Sequence, residues 1–219
     1  MKKFKNIKTI IYDLDGTIVD TEPAHFKAWE QVAKLINVKA NTEKYPQLRG
    51  IKGEIAVEKI FGYKNKSKIK EILDLKKDYT LKNFKKIKIF PNLIQTCKIL
   101  INKNFNLWIC TSAPKKIVEL FFNQNPQLKK IFKENVIYSE LTEKSKPNPQ
   151  PLLLTMKMAG TTNPKNNLYI GDTVIDYQTA RSAKTNFILY NVSKFKDNNL
   201  ESKKILKISN HSELIKHLS

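Results

Sequence analysis

Two aspartates separated by one residue, Asp13 and Asp15, close a short apolar run and are followed by Gly16 and Thr17. If that run is a strand, side chains two apart leave it on the same side, so both carboxylates address one point. Two like charges at a buried strand end repel and drive one pKa upward, unless a cation lies between them or one acid keeps its proton. Either arrangement serves catalysis. An all-oxygen pair suits a hard ion such as Mg2+, which keeps several waters and reaches toward substrate phosphate. The plainer reading is a strand-to-turn segment in which the acids cap backbone amides and Gly16 makes the bend.

Three further groups have the types such chemistry needs. Gly171-Asp172-Thr173-Val174-Ile175-Asp176 again follows an apolar run and precedes a helical pattern. Asp172 can complete a carboxylate cage, with Asp176 orienting it from behind or acting as an outer acid; a helix N-cap at either aspartate is the competing reading. Cys110-Thr111-Ser112-Ala113-Pro114 ends another apolar run, with Pro114 opening the next helix, so Thr111 and nearby amides can donate to an anion. Read alone, Thr111 is an ordinary cap. Lys146 stands in Ser145-Lys146-Pro147-Asn148-Pro149, where prolines stiffen the backbone around one ammonium able to neutralise a transferring phosphoryl group. In so basic a chain an isolated lysine is ordinarily solvated, and it is the order and context of all four groups that raise each of them.

The elements that must hold these residues are legible as alternation. Apolar runs at Lys8–Tyr12, Asn106–Cys110, Asn135–Tyr138, Asn167–Ile170 and Asn186–Tyr190 are separated by helical patterns, which predicts an α/β fold with a parallel, Rossmann-like sheet. Residues 19–88 break the alternation, carrying only helical periodicity such as His25, Trp29, Val32, Ala33 and Ile36 on one face. Further helices are expected at Gly53–Phe61 and Ser67–Ile87, with Gly50, Gly53 and Gly62 as breakers. The organisation read is a core of residues 1–18 and 89–219 with a small helical insertion at 19–88, which would hang over the carboxyl ends of the strands, where open α/β sheets bind ligands. Residues 194–204 read as a surface loop with a short helix.

Composition excludes some classes. No run of about eighteen apolar residues is available to span a bilayer, and the basic start lacks a small-residue cleavage site, so no membrane partner, no signal peptide and a cytoplasmic location are expected. Cys97 and Cys110 have neither metal spacing nor a disulfide framework. The net charge of +20 could favour nucleic acid. Lysine is spread along the whole chain, however, arginine occurs only at Arg49 and Arg181, and aromatics do not interleave with a basic cluster, so no nucleic-acid partner is expected. A non-catalytic nucleic-acid-binding scaffold is the remote alternative, and a monomer is expected.

At these residues the sequence resembles the haloacid-dehalogenase-like hydrolases, whose pattern runs D-x-D-G-T, a strand-end Ser or Thr, a lysine and an acidic G-D-x-x-x-D. Asp20 to Trp29 and Lys146-Pro147-Asn148-Pro149 are similar to the subgroup with a small helical cap, which includes β-phosphoglucomutase-like and phosphoglycolate-phosphatase-like enzymes. The resemblance implies that Asp13 is nucleophile and Mg2+ ligand, and that Asp15 is the acid and base and offers its backbone carbonyl to the metal. It implies that Thr111 holds a phosphoryl oxygen, that Lys146 balances charge, and that Asp172 binds Mg2+ with Asp176 in support. Thr17, Ser112, His25, Arg49, Gly50 and Lys52 are the implied substrate-binding residues. Mutases of the subgroup usually carry an acid immediately before the metal-binding aspartate, where this chain has Gly171. Hydrolysis of a small phosphate ester is therefore expected, with a sugar phosphomutase as the alternative that His25 keeps open.

Overall fold

The computed structural model describes residues 4–41, 45, 53–64, 66–83, 87–190 and 205–218. They fall into two units, one from the residues up to Val19 and from Ile89 onward, the other from Asp20–Lys88.

The first unit is built on a sheet of six strands: β1 (Thr9–Tyr12), β4 (Asn106–Cys110), β5 (Val136–Ile137), β6 (Asn167–Gly171), β7 (Asn186–Tyr190) and β8 (Lys207–Ile208). Their order across the sheet is β5-β4-β1-β6-β7-β8, every pairing parallel. The segments TIIY and NLYIG are buried at every position, as interior parallel strands covered on both faces must be. β-Branched and aromatic side chains fill both faces of that sheet. On one face Ile11, Trp108, Tyr169 and Phe187 pack with Leu152 and Met156 of helix α7 (Gln150–Met158) and Ala180 of α8 (Val174–Ser182). Helices α4 (Leu93–Asn102), α5 (Lys115–Gln124) and α6 (Pro126–Phe132) complete the unit, which ends in a 3-10 segment, His211–His217.

The second unit is helical: α1 (Glu22–Leu35), α2 (Gly53–Phe61) and α3 (Lys66–Lys82). Trp29 and Val32 of α1, Val57 and Ile60 of α2 and Ile72 of α3 form one apolar cluster, so the stripe read from His25 to Ile36 is a helix-packing face. Helix α3 runs to Lys82, where the expectation carried it to Ile87; the Asn83 backbone amide at 3.2 Å and its side-chain amide at 3.0 Å both donate to the Tyr79 carbonyl, and residues 84–86 lie outside the described residues. Two short strands that periodicity did not reveal, β2 (Val19–Asp20) and β3 (Lys88–Ile89), pair with each other. Residues 194–204, read as a loop with a short helix, lie outside the described residues. No helix among the described residues is long and apolar enough to cross a membrane.

Candidate active site

Strand order places the acidic groups. β1 lies between β4 and β6, with Tyr12 level with Ile109 on one side and Ile170 on the other. Asp13, Thr111 and Asp172 therefore follow the carboxyl ends of three adjacent strands. The Asp13 amide continues the ladder, donating to the Ile170 carbonyl at 2.8 Å. Beyond it the chain folds tightly: the Gly16 amide donates to the Val19 carbonyl at 2.8 Å and the Ile18 amide to the Leu14 carbonyl at 2.9 Å. Gly16 takes φ +74°, and a Cβ there would lie 2.2 Å from Oδ2 of Asp172. Only glycine lets the turn reach that carboxylate. The turn also delivers Thr17, whose hydroxyl donates to Asp172 Oδ1 at 3.2 Å.

Lys146 reaches the same place from the loop before α7. Its side chain is 4% exposed, and its Nζ donates to Asp13 Oδ1 at 2.8 Å, to Asp176 Oδ1 at 3.0 Å and to the Tyr169 hydroxyl. Burial alone would lower the ammonium's pKa, but Asp13 and Asp176 outweigh it and hold the group above the ordinary lysine value. Asp176 sits in the first turn of α8. There Thr173 is the N-cap: its hydroxyl accepts from the Asp176 amide at 3.2 Å and donates to Asp176 Oδ2 at 2.6 Å, while its own amide donates to Oδ2 at 3.1 Å. The helix cap anticipated at Asp172 or Asp176 is thus a capping box led by Thr173. Tyr169 completes the cluster by donating to Asp176 Oδ1 at 2.7 Å. Burial pushes the Asp176 carboxyl up, yet Lys146 and the hydroxyls of Thr173 and Tyr169 bring it below the usual carboxylate range.

Asp13 is different. Burial raises its carboxyl, Lys146 pulls it down, and Asp176, Asp172 and Asp15 push it up again, leaving it well above the ordinary value. Three neighbouring carboxylates thus act against the pull of Lys146 on Asp13. Oxygens of Asp13, Asp172 and Asp176 lie within 4.8 Å of one another, and an all-oxygen set of that kind fits a divalent cation such as Mg2+. Asp176 already accepts four hydrogen bonds, two on each oxygen, the full capacity of a carboxylate.

The family model of the haloacid dehalogenase-like hydrolases matches residues 10–190. The chain belongs to this family. The hydrolase is 25% identical to the pyrophosphatase PpaX of Oceanobacillus iheyensis over 81% of this chain and 80% of that protein. It is 23% identical to the phosphoglycolate phosphatase of Salmonella paratyphi A over 84% and 81%, and 39% identical to the β-phosphoglucomutase of Bacillus subtilis over a shorter stretch, 25% and 24%. Among solved structures, a family IA hydrolase from Entamoeba histolytica superposes with a TM-score of 0.82 at 22% identity, covering 94% of this chain and 95% of that one.

In the hydrolase, Asp13, Thr17, Lys146, Asp172 and Asp176 are buried together, while Asp15 is half-buried beside them. Thr111 is buried after β4, and its hydroxyl oxygen accepts from the Ala113 amide at 3.0 Å, while Ser112 is exposed. Pro114 does stand at the N-cap of α5. His25 lies on α1 of the helical unit, half-buried, pushed down to about 3 by burial and by the neighbouring Lys76. Arg49, Gly50 and Lys52 lie outside the described residues.

Two contributors escaped the sequence reading. Tyr169 read as one more residue of a buried strand; the available signal was that a buried tyrosine hydroxyl needs a partner. His211, fully buried, places Nε2 2.9 Å from the Thr17 carbonyl and stacks on Tyr190 at 4.2 Å between ring centroids. Nothing in local sequence pairs residues 194 positions apart.

Proposed function

We propose that the hydrolase is a Mg2+-dependent phosphatase that cleaves a small-molecule phosphate monoester through an aspartyl-phosphate on Asp13. The observation that carries this reading is the buried Asp13 carboxylate, 2.8 Å from Lys146 and clustered with Asp172 at the end of the sheet's interior strand. A carboxylate Oδ of Asp13 attacks phosphorus, the bond to the leaving oxygen breaks, and Asp15 gives that oxygen a proton. Asp15 then takes a proton from water as the water oxygen attacks the phosphorus; the bond to Asp13 breaks, and phosphate leaves with the carboxylate restored. Lys146 neutralises charge on the transferring group, and the Thr111 hydroxyl, with Ser112, donates to its oxygens. The carboxylates of Asp13 and Asp172 and the backbone carbonyl of Asp15 would hold Mg2+, which supplies Lewis-acid stabilisation of the phosphoryl oxygens. Asp176, its acceptor positions already filled, orients Lys146 and thereby supports the metal site. Residues 19–88 act as a cap on this reading, with His25, Arg49, Gly50 and Lys52 selecting the substrate.

Gly171 favours hydrolysis over transfer, because it occupies the place where sugar mutases of the subgroup usually carry an acid. The 54-residue match to β-phosphoglucomutase favours a second reading as a sugar phosphomutase.

The test is release of inorganic phosphate from phosphorylated sugars, nucleotides, phosphoglycolate and pyrophosphate, with Mg2+ or EDTA, comparing the chain with Asp13→Asn. Release that needs Mg2+ and falls at least about a thousand-fold in Asp13→Asn is expected for a lost nucleophile. No release from any compound with Mg2+ present overturns the phosphatase, and isomerisation of a sugar phosphate without net release would establish the mutase.

A further inference from the structure

Lys146 presents three N–H groups, and the structure gives each a separate acceptor: Asp13 Oδ1, Asp176 Oδ1 and the Tyr169 hydroxyl. The two carboxylates are the expected counter-ions of a buried ammonium. The hydroxyl is not, and it sits where it can affect how the ammonium divides itself between them. The Tyr169 oxygen accepts a hydrogen bond from Lys146 and donates its own hydrogen to Asp176 Oδ1, the same oxygen that Lys146 reaches directly. Nζ lies 5.2 Å from the Tyr169 ring centroid while bonded to the hydroxyl, so it stands off the oxygen edge and not over the ring face. The contact is a hydrogen bond, with little from the ring's quadrupole. Burial, followed by Asp176 and Asp13, raises the Tyr169 pKa well above its usual value, which keeps the hydroxyl protonated and able to donate.

We propose that Tyr169 is a positioning residue that holds the Lys146 ammonium forward on Asp13 by partly satisfying Asp176 in its place. The need arises within the reaction proposed above, on which the kinetic part of this inference rests. Once Asp13 carries a phosphoryl group it is an acyl phosphate, so the carboxylate charge that drew Lys146 forward has left Asp13 and the negative charge to be met sits on the phosphoryl oxygens. Asp176 remains an anion 3.0 Å away. Without the hydroxyl, the ammonium turns its freed N–H and its charge toward Asp176 and away from the phosphoryl oxygens, just when the second transfer needs it there. With the hydroxyl present, Asp176 keeps a donor of its own and Lys146 keeps three fixed directions.

The deciding variant is Tyr169→Phe, which removes one oxygen and leaves the ring to pack against Phe187, 6.0 Å away between centroids. We expect kcat to fall about tenfold, with KM and Tm close to those of the parent, since losing one positioning hydrogen bond to a charged group is a change of that size. An unchanged kcat overturns the proposal, and so does a lowered Tm with unchanged kcat per folded molecule, which marks a merely structural hydroxyl. A second readout needs no turnover. Among the described residues Lys146 is the lysine with a buried side chain, so its NH3+ protons exchange slowly and give a 15N-correlated signal, assigned by its absence in Lys146→Met. Faster exchange in Tyr169→Phe supports the proposal, and an unaltered signal overturns it. If the parent chain releases no phosphate, the phosphatase reading fails on its own, and the exchange measurement still decides the role of Tyr169.

Discussion

Lys146 is where the electrostatics of the cluster converge. Its ammonium is buried against Asp13 at 2.8 Å and Asp176 at 3.0 Å, and removing one partner of a buried ion pair leaves the other charge without compensation in a poorly polarisable place. Lys146→Met keeps an unbranched, flexible side chain one atom shorter and discards the charge. We expect its unfolding free energy in EDTA to fall by about 3–5 kcal/mol, measured by urea titration, with part of the loss recovered on adding Mg2+ as the cation takes over the role of counter-charge. Phosphate release should fall about a hundred-fold or more even with Mg2+ saturating. An unchanged stability in EDTA would mean that the carboxylates do not depend on Lys146. Asp13, Asp15, Asp172 and Lys146 were legible in sequence because each stands beside a glycine, a proline or a strand end that gives it a reason to be there, and Asp176 because it opens the helical pattern after Gly171-Asp172. Tyr169 was not, because in a strand of apolar neighbours a tyrosine has the same pattern as a phenylalanine, and only the third dimension reveals what its oxygen meets.

At the scale of elements, the turns at the carboxyl ends of the strands carry the site. Gly16 at φ +74° and Gly171 both stand against carboxylates, and a Cβ at Gly171 would lie 2.5 Å from that of Asp176. These glycines are spaces reserved for Asp172 and Asp176. Gly16→Ala must either move Asp172 or open the turn, and the alanine also incurs backbone strain at positive φ. We expect it to weaken Mg2+ binding about tenfold or more, read by isothermal titration of the purified variant, with a drop in Tm of several degrees. Wild-type metal affinity would show that the turn can yield without disturbing Asp172. The strands themselves announced their places, since Asn106–Cys110 and Asn186–Tyr190 carry runs of large apolar residues long enough to be read. Helix α2 did so too, bounded by its glycines. β8 and the 3-10 segment after it did not: a two-residue strand has no period to detect, and a 3-10 turn does not share the helix's.

For the whole molecule, the contact between His211 and Thr17 ties the C-terminal segment to the turn beside Asp15. Nε2 must carry the proton that the Thr17 carbonyl accepts, so the ring works as a neutral donor. Burial pushes its pKa down to about 4, against a smaller opposing pull from the carbonyl. A base whose folded pKa lies below its unfolded value binds more protons when unfolded, so stability rises with pH between the two. Its contribution is complete above the unfolded value of about 6.5 and is lost as pH falls toward 4, a change on the order of 3 kcal/mol for this group. Urea unfolding of the parent between pH 4.5 and 7.5 should therefore slope more steeply than that of His211→Phe, which keeps an aromatic ring against Tyr190. Equal slopes would remove His211 from the account of acid sensitivity.

The sheet order has a consequence for how the chain comes to be made. β1, which delivers Asp13, pairs on one side with β4 and on the other with β6, neither of which exists when β1 leaves the ribosome. At about 5–20 residues per second, some 8–30 s separate the emergence of Tyr12 from that of Gly171. Both edges of this apolar strand stay open until β4 follows, about 5–20 s after Tyr12 at that rate, and the edge that β6 takes stays open to the end of the interval, the condition in which nascent chains pair with one another. Lys5 and Lys8 stand directly before the strand and Asp13 and Asp15 directly after it, charges that discourage such pairing. The two aspartates thus serve the chain twice, first as guards of an unfinished edge and later as the reagents of a finished one.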